Sequence, residues 1–135
     1  MNVMRFVKAG LIAGLVIILC AIGLVPIVGN EMDLALARLN LPPLSNGAMI
    51  YFALVSLFTG FALIWLYVVM LERFKQRTRT ALIAALVIWI FGYLLDNVSM
   101  VFYGFMPIKV TIIGTAWGLL ELGAGSLIGS RFYKE

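Results

Sequence analysis

Four long apolar runs follow one another along the chain, and short polar segments separate them. The runs cover about 6–28, 48–71, 81–105 and 109–130. A helix rises about 1.5 Å per residue, so runs of this length match the ~30 Å hydrocarbon core of a bilayer. The pattern predicts an all-α fold: an integral membrane four-helix bundle with four transmembrane helices, forming a single polytopic membrane domain over 1–135.

The first apolar run follows a short basic segment, as the apolar region of a signal peptide does. The run is longer than that region usually is, and no convincing small-residue cleavage site follows it. We therefore expect this run to be retained as the first membrane helix. Pro26 is expected at its end, or at a kink near it.

The segment 29–47 is the longest polar stretch of the chain. Asn30 and Asp33 have the spacing of a helix N-cap signal, and Pro42 would end the helix that follows. The pattern predicts an extracytoplasmic loop with a short helix that lies in the membrane interface or covers the bundle. A substrate gate is the alternative interpretation of the same segment.

Lysine and arginine residues concentrate on one side of the predicted topology. Of the ten in the chain, eight lie near the termini or in the segment 72–80: Arg5, Lys8, Arg73, Lys75, Arg77, Arg79, Arg131 and Lys134. By the positive-inside rule both termini are cytoplasmic, and the chain is a multi-pass protein of the inner or plasma membrane. The four cations of 72–80 are candidates for binding lipid headgroups, although topology alone explains their charge.

Composition narrows the function classes. The 135 residues are 64% hydrophobic and 12% charged, which is typical of a protein whose main partner is the lipid bilayer. Topology explains the net charge of +4, so we expect no nucleic-acid partner. The chain has no histidine, and its one cysteine, Cys20, lies in an apolar run. We expect no metal and no cofactor, and without a catalytic motif an enzyme is the least expected class.

Glycines recur at helical spacing in the first and last runs. Small residues at this spacing let a second helix approach closely, so we expect them to pack helices within the chain or between copies. In the last run the glycines and Glu121 lie within about 80° of one another around the helix. The glycines are Gly10 and Gly14 in the first run and Gly114, Gly118, Gly125 and Gly129 in the last.

Glu121 lies near the middle of the last run and therefore near the bilayer midplane. A charged carboxylate is costly at that depth, and Lys109 and Arg131 are roughly 15–18 Å away along the helix. The sequence therefore predicts a protonated Glu121 that bonds a hydroxyl or a backbone carbonyl inside the protein. The hydroxyls available at similar depth belong to Ser56, Thr59 and Tyr93.

Asp96 is the second acid within an apolar run, a few ångströms inside the outer boundary. The simplest expectation is an ion pair with Lys109, and the alternative is an outer vestibule shared with Asn97 and Ser99. Asp96 and Glu121 differ in depth by roughly 10 Å, so we do not expect them to form a catalytic dyad or a shared metal site.

Two classes of function fit these residues. In the first, a small transport- or channel-type protein moves a proton, cation or small solute past Glu121, with Asp96 along the path. In the second, a non-catalytic accessory or scaffold subunit binds a larger membrane protein through its glycine faces. The first class would suit a homo-oligomer.

Burial of Glu121 distinguishes the two classes. A water-filled route to Glu121 would favour transport, whereas a dry Glu121 satisfied inside one bundle, with an exposed glycine face, would favour the accessory role. A third class, a lipid-handling enzyme, would need polar groups to converge at headgroup level. The only candidates for such a cluster are Asp96, Asn97, Tyr103 and Lys109.

Overall fold

Four long helices form the protein in a computed structural model that describes residues 2–133. Helix α1 spans Val3–Arg38, α2 spans Asn46–Phe74, α3 spans Arg77–Phe102 and α4 spans Ile108–Phe132. Helix α3 is α-helical over Arg77–Trp89 and Leu95–Phe102, with one π-helical turn between them, Ile90–Leu94. Residues 2–133 contain no β-strand. The predicted all-α four-helix bundle is confirmed.

Each helix is long and apolar enough to cross a membrane. Large apolar side chains cover the outside of the bundle: Phe91 is 71% exposed and Phe102 is 87% exposed. A soluble monomer rarely exposes a continuous apolar surface of this kind, whereas lipid tails solvate it. From length and composition we infer a multi-pass membrane protein.

The helices pack in a closed order. Helix α1 lies between α2 and α4, and α3 packs against α4 and α2. Only Lys75 and Gln76 connect α2 to α3, and Lys75 takes a left-handed conformation with φ of 56° to end α2. The α2–α3 turn and the first and last helical turns of the chain lie together. We call this the basic end of the bundle.

Glycine permits the close crossing of α1 and α2. A Cβ atom added to Gly60 would lie 2.6 Å from the Gly14 Cα and 2.7 Å from the Gly10 carbonyl oxygen. These are backbone atoms, which cannot turn aside as a flexible side chain can. The two backbones therefore meet at a distance that only glycine allows.

Glycines of α4 and alanines of α1 form the second close crossing. A Cβ on Gly129 would lie 2.8 Å from the Ala13 Cβ and 3.0 Å from the Ala9 oxygen, and one on Gly125 would lie 3.2 Å from the Ala13 oxygen. Gly114 differs, because a Cβ there would meet nothing within 4 Å. Gly114 therefore packs against no helix of this chain within the described residues, and packing between copies stays a prediction.

Helix α1 does not end near Pro26, and the prediction of a separate short helix in 29–47 is wrong. The helix continues without a break to Arg38. At about 1.5 Å per residue its 36 residues measure roughly 54 Å, well beyond the hydrocarbon core. Proline removes one backbone hydrogen bond and crowds the carbonyl four residues earlier, which membrane helices tolerate, and burial of Val28 and Ala35 holds the extension in place. Asn30 lies inside this helix and caps nothing.

We predict that Gly60→Ala destabilises the bundle. The added methyl group overlaps the α1 backbone, and overpacking of this kind costs about 1–3 kcal/mol. The measurement is the thermal unfolding midpoint in detergent micelles. Gly114→Ala is the matched control, expected to leave the midpoint unchanged or slightly raised because its site is open and alanine favours helix. Equal effects of the two substitutions would contradict the close crossing.

Candidate functional site

The Glu121 carboxyl lies against the Tyr93 hydroxyl between α3 and α4. Tyr93 Oη donates a hydrogen bond to Glu121 Oε1, and Glu121 is only 5% exposed. Gly118, one turn before Glu121, leaves room for the tyrosine, because a Cβ there would overlap the Tyr93 ring. The expected hydroxyl partner of Glu121 is thus present. Its protonation state stays a prediction.

The π-helical turn of α3 directs Tyr93 toward α4. On a regular α-helix, Trp89 and Asn97 would differ in direction by about 80°; one extra residue in a π turn reduces this to about 20°. All three side chains, Trp89, Tyr93 and Asn97, then bond to α4. The turn therefore keeps one face of α3 in register with α4.

Hydrogen bonds connect α3 and α4 above and below Glu121. Farther from the basic end, Thr115 Oγ1 accepts from Asn97 Nδ2 at 2.9 Å, and the Thr115 carbonyl accepts from Trp89 Nε1 at 2.8 Å. Nearer the basic end, Ser126 Oγ donates to the Ala81 carbonyl at 2.7 Å. We call this row, with the Tyr93–Glu121 contact at its middle, the α3–α4 seam.

A further hydrogen bond holds α4 to α1 beside Glu121. Trp117 Nε1 donates to the Cys20 carbonyl at 2.9 Å, and the Trp117 ring fits against Gly23. Trp117 precedes Glu121 by one turn, so α4 is tied to α1 and to α3 at nearly the same depth. This double attachment fixes the rotation of α4, and with it the direction in which Glu121 points.

Ser56 and Thr59 are not partners of Glu121. Their hydroxyls donate to the Phe52 and Val55 carbonyls of α2 itself, at 2.9 and 2.8 Å. A hydroxyl on an apolar helix finds its nearest acceptor at position i−4, so it needs no partner from another helix. Thr59 also lines a groove of about 480 Å³ on α2 and α3.

Asp96 does not pair with Lys109, contrary to the sequence expectation. Lys109 Nζ instead lies 2.7 Å from Glu31 Oε1. Glu31 belongs to the part of α1 beyond Pro26, where the sequence pattern predicts a loop. Asp96 lies exposed on α3, while its neighbour Asn97 faces Thr115. Lys109 and Asn97 therefore bond to different helices, and neither bonds to Asp96.

Metal ligands do not cluster in the described part of the chain. Within residues 2–133, no group of three or more histidine, cysteine, aspartate and glutamate side chains could hold a metal ion. Cys20 is a free thiol, half-buried in α1.

The basic segment 72–80 is almost entirely helical, and its four cations lie in different surroundings. Arg73 lies in the last turn of α2, Lys75 lies in the turn after it, and Arg79 lies 5.9 Å from the centre of the Phe74 ring. Arg77 instead lines a cleft together with Arg131 of α4. The cleft next to Arg131 is therefore lined by only one of the four cations. Lys134 lies outside the described residues.

Several residues that hold α4 to its neighbouring helices were not identified from the sequence. Thr115 carries two of the interhelical bonds, and Trp89 and Trp117 each donate one. The sequence does offer a signal for the two tryptophans, because an indole N–H in the middle of a membrane needs a hydrogen-bond acceptor. The acceptors themselves are backbone carbonyls, which every residue has, so the sequence does not identify them.

We predict that Tyr93→Phe destabilises the protein by about 0.6–2 kcal/mol, the range of hydrogen bonds between membrane helices. The loss arises because the buried Glu121 carboxyl is left without its donor. The measurement is the free energy of unfolding in mixed detergent micelles. Tyr103→Phe is the matched control, since Tyr103 is 73% exposed, and it is expected to change nothing. An unchanged Tyr93→Phe variant would argue against the contact.

No protein-family model matches this chain, and no curated protein and no solved structure matches it either. Its membrane architecture is inferred from the length and composition of its own helices. Any statement about its function rests on its own residues, above all on the buried contact between Tyr93 and Glu121.

Proposed function

We propose that this small membrane protein handles protons, and that Glu121 is the group that binds and releases them. The observation that carries the proposal is the Tyr93–Glu121 contact near mid-depth of the bundle. Ionisable residues inside the membrane are costly, and where they occur they commonly mark proton or ion pathways. A carboxyl needs only to gain or lose one proton to perform this task.

The geometry of α3 supports the proposal. Tyr93 lies within the π-helical turn Ile90–Leu94, and such turns occur frequently at functional sites. A regular α-helix would bury apolar side chains equally well. We therefore attribute the π-helical turn to the hydrogen bonds that Trp89, Tyr93 and Asn97 make with α4. The turn presents the hydroxyl of Tyr93 to Glu121.

The α3–α4 seam supplies polar groups on both sides of the carboxyl. Thr115 and Asn97 lie farther from the basic end, and Ser126 lies nearer to it. Glu121 itself is almost fully buried, so this conformation is closed rather than an open pore. Proton movement along the seam would require α3 and α4 to separate locally.

A second candidate is the accessory or scaffold role, and the burial of Glu121 is the observation that favours it. Tyr93 satisfies the carboxyl inside one bundle, as a purely structural clasp would be satisfied. The accessory role also needs an exposed glycine face that binds the partner. Gly118, Gly125 and Gly129 are instead covered by helices of the same chain. We therefore rank proton handling first.

Proton flux in liposomes tests the proposal. The full chain is reconstituted with a pH-sensitive dye inside, and a potassium diffusion potential drives protons inward. We expect wild-type flux to exceed that of protein-free liposomes, and Glu121→Gln to lower it at least about 10-fold, because an amide cannot exchange a proton in this way.

Asp96→Asn is the matched control for that experiment. It also converts one acid to its amide, but Asp96 lies exposed on α3 and makes none of the bonds of the α3–α4 seam, so the proposed path leaves it out. Its flux is expected to stay within about 2-fold of wild type. Flux equal to that of empty liposomes would favour the accessory role. Equal flux in wild type and Glu121→Gln would show that Glu121 has no part in the activity.

A further inference from the structure

A cleft of about 1030 Å³ opens at the basic end of the bundle. It lies between the start of α1, the start of α3 and the end of α4, so residues far apart in sequence meet there. Its volume is at the upper end of the ~300–1,000 Å³ typical of small-molecule sites. The lining residues are Arg5, Lys8, Arg77, Thr78, Leu127, Ile128, Ser130, Arg131 and Phe132.

Positive charge from three helices converges on this cleft. Lys8 belongs to α1, Arg77 to α3 and Arg131 to α4. None of these three is in an ion pair with any residue of 2–133, and the described lining includes no acidic side chain. Like charges held together in this way are stabilised by a bound anion.

Hydrogen-bond donors accompany these charges. Thr78 contributes a hydroxyl to the lining, whereas the Ser130 hydroxyl already donates to the Leu127 carbonyl. Helix α3 begins at Arg77, and no side chain caps this helix start. The free N–H groups of a helix start favour a phosphate or another anion. The upper part of the cleft therefore suits a phosphate group, with arginines able to bond two of its oxygens.

The lower part of the same cleft is apolar. Leu127 and Ile128 of α4 line it on the membrane side, and Phe132 lies beside Lys8, whose Nζ is 5.8 Å from the ring centre. A soluble anion would leave this apolar wall unused. A molecule that is anionic at one end and apolar at the other fills both parts.

We infer that this cleft binds an anionic phospholipid, with its phosphate among Lys8, Arg77 and Arg131 and an acyl chain along Leu127 and Ile128. The inference does not depend on proton handling. It also replaces the headgroup site expected from the sequence, because Arg73, Lys75 and Arg79 do not line the cleft.

Two double variants test the site in the full chain. Arg77→Gln/Arg131→Gln removes two cations of the cleft. Arg73→Gln/Lys75→Gln removes two cations from the same end of the bundle but outside the cleft, so both change the net charge equally. Native mass spectrometry of protein released from neutral detergent micelles measures the affinity for dioleoyl phosphatidylglycerol. Unfolding midpoints of both variants confirm that they are folded.

We expect wild-type protein to bind phosphatidylglycerol more tightly than phosphatidylcholine. The cleft variant should bind phosphatidylglycerol roughly 30-fold more weakly, and Lys8→Gln, a milder change, about 5-fold more weakly. The control variant should stay within about 3-fold of wild type. Lys8→Gln keeps the test decisive if the cleft double variant fails to fold.

Three results would overturn the inference. Equal losses in the cleft and control variants would mean that general surface charge attracts the lipid. Equal binding of phosphatidylcholine and phosphatidylglycerol would mean that the cations do not select the headgroup. Binding of glycerol 3-phosphate as tight as that of the lipid would mean that the cleft is a site for a soluble phosphate.

Discussion

The absence of water in the hydrocarbon slab governs this structure, because a polar group buried there is costly unless it finds a partner within the chain. Most serine and threonine hydroxyls find that partner locally: Ser99 and Thr111 donate to carbonyls four residues earlier in their own helices. Indoles cannot reach their own backbone in this way, so Trp89 and Trp117 donate to neighbouring helices. The carboxyl of Glu121 is the costliest of these groups to bury, and the Tyr93 hydroxyl is its hydrogen-bond partner.

Small residues make those interhelical bonds possible by bringing the backbones close. Gly14 and Gly60 join α1 to α2, while Ala13 and Gly129 join α1 to α4. Gly118 performs the corresponding task on the other side of α4, where it admits the Tyr93 ring. Packing and polar satisfaction are therefore parts of one arrangement: the glycines set the helix positions, and those positions bring the seam into hydrogen-bonding distance.

The sequence predicts the membrane-compatible four-helix bundle and the burial of Glu121 against a hydroxyl. Both follow from hydrophobic length and from the cost of exposing an acid to lipid. The prediction fails where a rule for soluble proteins was applied to an apolar helix, since Pro26 does not end α1. The partner of Lys109 was missed for the same reason, as Glu31 lies on the α1 extension. The π turn and the basic cleft leave no periodic signal, because they depend on how distant segments meet.

A double-mutant cycle on Tyr93 and Glu121 tests the central claim most directly. Tyr93→Phe, Glu121→Met and the double variant are compared by their free energies of unfolding in mixed detergent micelles. If the two side chains bond inside the membrane, the double variant loses less stability than the sum of the single losses, by about 0.6–2 kcal/mol. Strictly additive losses would mean that the two residues do not interact, and that no hydrogen bond joins α3 to α4 at Glu121.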